Sequence, residues 1–179
     1  MLSEAGLARL WWQIYAMTDR VTPLDHDCGE LCESICCQDW EEGVGMYLLP
    51  GEEILLAGQP WLQRRWHDTQ RYALPTSWDR GAWFVTCEGW CPRSMRPFGC
   101  RTFPLTADMS EDGSWRLILD PNGLPICPLI KVDRPELLQP AFRATMKRAW
   151  RKLLTVDTIR NEVLASSRRR RMRMPPRHA

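Results

Sequence analysis

Cys28-Gly29-Glu30-Leu31-Cys32-Glu33-Ser34-Ile35-Cys36-Cys37 and, further on, Cys87-Glu88-Gly89-Trp90-Cys91-Pro92-Arg93-Ser94-Met95-Arg96-Pro97-Phe98-Gly99-Cys100-Arg101-Thr102-Phe103-Pro104 hold all but one of the chain's eight cysteines, the last being Cys127. Thiolates are soft, charged ligands, and iron or zinc gathers three or four of them into one site. In the first group, steps of four residues place Cys28, Cys32 and Cys36 along one face of a continuous helix. Cys37 would then point roughly 100° away from Cys36. Either the helix breaks near the pair or Cys37 serves a different site, so the first group alone does not close a four-thiolate centre.

The second group is too irregular to be held by a hydrogen-bonded ladder, and segments of this kind take their order from a metal. The spacings Cys28/Cys32 and Cys87/Cys91 both suit a zinc knuckle. Eight ligands divide as four plus four, and one four-cysteine centre with spare thiols fits equally well. The Cys-Pro pairs at 91/92 and 127/128 tilt the balance to an iron–sulfur cluster of the [4Fe-4S] type over zinc, because proline beside a ligand removes a donor and stiffens the loop. All eight cysteines, Cys28, Cys32, Cys36, Cys37, Cys87, Cys91, Cys100 and Cys127, are candidate metal and cofactor ligands.

At 179 residues the chain suits one domain with a real core rather than two. The first helix candidate, Leu2 to Met17, contains Glu4 and Arg9 and reads neither as a secretory h-region nor as a transmembrane span. The expected compartment is the cytoplasm, where thiols stay reduced, and this favours ligation over disulfides. Ten Trp stand beside only four Phe and three Tyr, so indoles should supply much of the core, each N–H seeking a partner.

The net charge of +2 hides an asymmetry. Setting aside the six arginines between Arg168 and Ala179 leaves −4 on the remainder. No Lys or Arg occurs between Arg20 and Arg64, a stretch with nine acids that encloses the first cysteine group. The second group sits among Arg93, Arg96 and Arg101, which are expected to pair with those acids and lock the two halves together.

Leu7, Leu10, Trp11, Ile14 and Met17 or Thr18 recur at helical spacing. A turn or two of helix is expected over Glu30–Gln38, a short strand over Met46–Leu49, and a helical run from Pro50-Gly51 through Leu56. Trp83–Thr86 and Trp115–Leu119 read as strands within a loop-rich middle. Leu138, Phe142, Met146, Ala149 and Leu153 form an apolar stripe, and a second helix follows from Thr155 to Ser166. The expectation is a small, loop-rich, metal-stapled α+β domain over residues 1–167. Helices should lie at both ends, a few short strands between them, and a disordered basic tail over 168–179.

The second group resembles the bacterial cysteine-cluster proteins of the CxxCxxCC, or YkgJ-like, family of zinc- or iron-chelating domains. Cys91, Arg96-Pro97, Cys100-Arg101 and Phe103-Pro104 fall in register with that family's pattern, whereas the gaps of the first group are three residues rather than two. The resemblance covers about Cys28 to Pro104 and implies metal or cluster binding. A related cysteine segment occurs in flagellin lysine methylases, in association with an iron–sulfur centre and methyl transfer.

Other candidates read blandly. His26 is two residues from Cys28 and is taken as a solvated loop histidine rather than a ligand. The acidic stretch lacks EF-hand spacing, and no P-loop, third dinucleotide glycine, nucleophile elbow or paired-histidine zinc motif occurs. The functional expectation is therefore a cysteine-ligated metal protein acting as a carrier, sensor or accessory protein, with metal or cluster and a protein as partners and no membrane. The alternatives are an iron–sulfur enzyme of methyl-transfer or redox type, and a zinc-stapled module. The latter's Arg-rich tail would engage nucleic acid or another acidic partner through salt-dependent phosphate contacts.

Overall fold

The computed structural model describes residues 2–37, 45–68, 81–88 and 91–173. The N-terminal stripe folds as α1 (Glu4–Thr18), opened by Ser3, whose side chain accepts from the Gly6 N–H. Trp11, Ile14, Tyr15 and Thr18 are its buried residues. They face the C-terminal stripe, in which Leu138 precedes the helix over 140–153 and Phe142, Met146, Ala149 and Leu153 lie on it; all are at most 1% exposed. Among the described indoles, Trp11 and Trp150 are buried in the core, donating to the Pro50 carbonyl and to Thr102 Oγ1, and Trp61, Trp83 and Trp115 pack against it. Trp12 and Trp66 lie half exposed.

Between the two helices the chain is α+β. The strand β1 (Met46–Tyr47), the short helix α2 (Glu53–Leu56), β2 (Leu62–Asp68) and β3 (Gly81–Cys87) come first. They build a three-stranded antiparallel sheet in the order β1-β3-β2, with Met46 opposite Val85 and Leu62 opposite Cys87. α3 (Phe98–Thr102) then leads into the hairpin β4 (Leu105–Met109) and β5 (Trp115–Leu119), which turns at Asp112-Gly113 with Gly113 at φ +83°. After α4 (Pro128–Lys131) come α5 (Pro140–Leu153) and α6 (Asp157–Arg173). β2 and β4 were not expected. β2 is mostly exposed along its length and carries almost no apolar alternation, whereas β4 does alternate, burying Leu105, Ala107 and Met109.

The basic tail differs from expectation. Arg168–Arg173 continue α6 instead of forming a disordered segment, while 174–179 lie outside the described residues. The reason is the open edge of β4. Ser167 Oγ accepts from the Met109 N–H, Arg170 donates to the Ala107 carbonyl at 2.6 Å, and Arg171 donates to the Met109 carbonyl at 3.1 Å. Asp108 and Glu111 on the hairpin face the same arginines. The side chains of α6 thus serve the edge groups that a third strand would otherwise pair. Loss of Arg170, whose side chain is 10% exposed, should lower stability by about 1–3 kcal/mol in denaturant unfolding. Arg168→Ala, at an exposed ion pair, should leave the midpoint unchanged.

A buried carboxyl sits at the junction of these elements. Glu52 is 0% exposed and accepts from Tyr15 Oη at 2.7 Å, from the Phe98 N–H, and from the Leu49 N–H at 3.3 Å. Burial outweighs those donors and raises its pKa from 4.5 to about 7. The folded state therefore binds this proton more tightly than the unfolded chain does. The resulting stability is full below pH 4.5 and is lost as pH rises to 7. Unfolding free energy measured from pH 4.5 to 7 should fall more steeply for the wild type than for Glu52→Gln, by up to about 1.4 kcal/mol per pH unit.

Candidate metal centre

The second cysteine group is positioned by arginines. Arg93 donates to the carbonyls of Asp19 and Val21 at 2.9 and 2.6 Å. Arg101, 6% exposed, donates to the Arg96 and Ser94 carbonyls, each at 2.6 Å, and to the Tyr15 carbonyl and Thr18 Oγ1. Its guanidinium also lies 4.1 Å from the centre of the Tyr15 ring. The last turn of α1 contains no basic residue of its own, and these two cations bring donors and positive charge to its C-terminal end. Among the described residues Arg93 and Arg101 bind the C-terminal end of α1, whose backbone accepts several donors in fixed positions, in place of the expected acids around the first cysteine group; Asp39, Glu41 and Glu42 of that group lie outside the described residues.

The first group forms two short 3₁₀ turns, Cys28–Leu31 and Ile35–Cys37, in place of one helix over Glu30–Gln38; Gln38 itself lies outside the described residues. Asp27 caps the first turn by accepting from the Gly29 N–H at 2.9 Å. The break falls at Glu33 and Ser34, both left-handed at φ 51° and 55°, and the Ser34 N–H returns to the Gly29 carbonyl. Cys28 and Cys32 therefore do not share a helix face with Cys36, and the straight-helix geometry does not apply.

All eight thiols are free and border two adjoining cavities. The larger, about 960 Å³, is bordered by Cys28, Cys36, Cys37, Cys87, Cys91 and Cys100, which come from both cysteine groups. The smaller, about 20 Å³, is bordered by Cys28, Cys32, Cys36 and Cys127. Cys127 reaches it because Gly123 closes on the Phe103 ring, where a Cβ would lie 2.6 Å from the ring carbons, and the Cys127 N–H bonds the Gly123 carbonyl. Cys36 and Cys37 sulfurs stand 3.9 Å apart, and Cys100 Sγ lies 3.4 Å from Met46 Sδ.

Charge in the larger cavity centres on Arg96. Cys91 is held well below the ordinary thiol range, first by the Cys87 thiol hydrogen-bonded to it and then by Arg96. Cys37 is lowered by its hydrogen bond with Cys36 and by Arg96. Burial pushes Cys100 up to about 12 and also raises Cys28 and Cys127. The buried Arg96 Nε finds no hydrogen-bond acceptor among the described residues.

Soft thiol donors with a thioether beside them suit a thiophilic metal or an iron–sulfur cluster, and Arg96 would offset the charge of its thiolates. As they stand, the thiols are spread along the cavity walls. Among the described residues no group of three or more His, Cys, Asp or Glu is arranged to hold a metal ion. His26 pairs with Asp25 at 2.7 Å and borders neither cavity. Met46 and Glu52 escaped the sequence reading; no spacing rule links a lone methionine or glutamate to cysteines some fifty residues away. The chain matches no family model, no curated protein and no solved structure.

Because the Arg101 guanidinium serves several acceptors from one planar fork, lysine cannot replace it. Arg101→Lys should lower unfolding free energy by about 2–4 kcal/mol, and Arg93→Lys by less, in parallel denaturant titrations.

Proposed function

We propose that this protein binds a metal centre through its cysteines, either an iron–sulfur cluster of the [4Fe-4S] type or zinc. The CxxCxxCC resemblance implies such binding, and on this reading the protein acts as a carrier, sensor or accessory protein. The observation that supports this best is the convergence of thiols from both cysteine groups on one cavity, with the Arg96 guanidinium among them. Cys37, Cys87, Cys91 and Cys100 would supply the ligands there, and Arg96 would balance their charge.

The chain's own residues supply the rest. Arg93 and Arg101 fix the loop that bears Cys91 and Cys100 against α1, so part of the cavity wall is ordered by protein contacts alone. Cys36, which is exposed, leaves the thiols accessible from solvent, as delivery or exchange of a centre requires. The nucleic-acid alternative is weakened because Arg168, Arg170 and Arg171 are engaged by the β4–β5 hairpin. No described helix is long and apolar enough to cross a membrane.

Anaerobic purification followed by metal analysis and a visible spectrum tests the proposal. The expected result is stoichiometric iron with acid-labile sulfide and a broad thiolate-to-iron band in the visible spectrum, or stoichiometric zinc in a colourless protein. Cys91→Ser and Cys100→Ser should each lower the metal content. A chain isolated without iron or zinc that takes up neither on anaerobic reconstitution would refute the reading.

A further inference from the structure

We infer that the cysteines form two separate metal sites, a mononuclear zinc-type site at Cys28, Cys32, Cys36 and Cys127 and a second centre at Cys37, Cys87, Cys91 and Cys100. This rests on the metal-binding reading above and deepens it. Four observations support the division.

The first is the sorting of the thiols. Cys32 and Cys127 border only the small cavity, and Cys37, Cys87, Cys91 and Cys100 border only the large one. Cys28 and Cys36 border both, and assigning them to the small cavity gives each site four ligands.

The second is the chemistry of the small cavity's walls. Leu31, Ile35, Phe103, Pro104, Ile126 and Leu129 line it, so among the described residues its side-chain donors are the thiols alone. An apolar pocket offering four sulfurs suits a soft ion that sheds its water, as in a closed structural zinc site. Ion capture would release the thiol protons to solvent.

The third is size. A volume of about 20 Å³ is on the scale of a single ion, on which the thiols would close to Zn–S bonds of about 2.3 Å, and it is far too small for a four-iron cube. The cavity of about 960 Å³ carries no such restriction. The fourth is the backbone. Cys36 and Cys37 are consecutive on a 3₁₀ turn after the left-handed pair Glu33–Ser34, and Cys36 borders the small cavity while Cys37 borders only the large one. One can therefore serve each site, and with the sulfurs 3.9 Å apart the two centres would be close neighbours.

The test uses the full chain, purified anaerobically, and asks which thiols each metal protects. Metal is withdrawn with graded EDTA, the chain is alkylated with iodoacetamide at each step, and modified cysteines are identified by peptide mass spectrometry alongside the residual metal count. The expected result is release in two stages. Cys37, Cys87, Cys91 and Cys100 become alkylated first, while Cys28, Cys32, Cys36 and Cys127 stay protected by one remaining zinc. Cys127→Ser should lose one metal equivalent and keep the other centre's spectrum. Simultaneous exposure of all eight thiols, or a single metal centre in the wild type, would overturn the two-site division and leave the metal-binding reading intact. A chain that binds no metal, with every thiol alkylated at the outset, would overturn both. If Cys127→Ser does not fold, the wild-type protection map decides alone.

Discussion

The buried Arg101 guanidinium is the constraint on which the arrangement depends. It lies between the cysteine loop and the end of α1, donating in both directions, to Arg96 and Ser94 on one side and to Tyr15 and Thr18 on the other. A cation is favoured at a helix C-terminus because the carbonyls there are unpaired and the helix dipole is negative. An unsatisfied buried guanidinium would be costly, so the loop is held in whatever shape keeps these acceptors in place. Glu52 applies the same logic close by in space. It gathers Tyr15, Leu49 and Phe98 onto one carboxyl and so joins α1, the segment before α2, and the start of α3. Two buried polar groups thus fix the wall from which Cys91 and Cys100 project.

Much of this was legible from residue order, and the parts that were not have identifiable causes. The stripe Leu138-Phe142-Met146-Ala149-Leu153 was read correctly because a buried helical face leaves a period that does not depend on its partner. Trp115–Leu119 was read to the residue, yet its partner β4 was not. β4 starts directly after Pro104, where the irregular cysteine segment ends, and its five-residue alternation is too short to stand out from the loop-rich middle. β2 left no periodic signal, since its pairing with β3 comes from the backbone and not from a buried face. The arginine run was misread for a related reason. Composition records six charges in the tail but not the open strand edge that several of them reach, which exists only once the β4–β5 hairpin has formed.

At the candidate centre, sequence supplied every cysteine and the arginines around them but not the partners that Arg93 and Arg101 have among the described residues. Charge complementarity pointed to the acidic loop, while the structure uses main-chain carbonyls, which carry no signature in the sequence. The prediction that Cys37 departs from the line of Cys28, Cys32 and Cys36 came from an ideal helix. The departure has a different origin, a pair of left-handed residues that turns the chain before Cys36 is reached.

These contacts bear on what a metal would contribute to the fold. In a small zinc module the metal joins segments that have nothing else in common, and its binding energy is folding energy. Here the two cysteine groups differ in how far they rely on it. The segment with Cys91 and Cys100 is already anchored by Arg93, Arg101 and Phe98, the last of which is fully buried against Trp11 and Trp150. Cys28–Cys37 has few such anchors: beyond its own turns and the Asp27 cap, most of its side chains are exposed or half-buried. An ion bound among Cys28, Cys32, Cys36 and Cys127 would order a segment that packing leaves loose, and its removal would be felt locally. A centre on the Cys87–Cys100 wall would meet ligands already held in place, so loading it would cost less ordering entropy. That difference separates a metal that completes the fold from one that can come and go, and it follows from where Arg101 and Phe98 are buried.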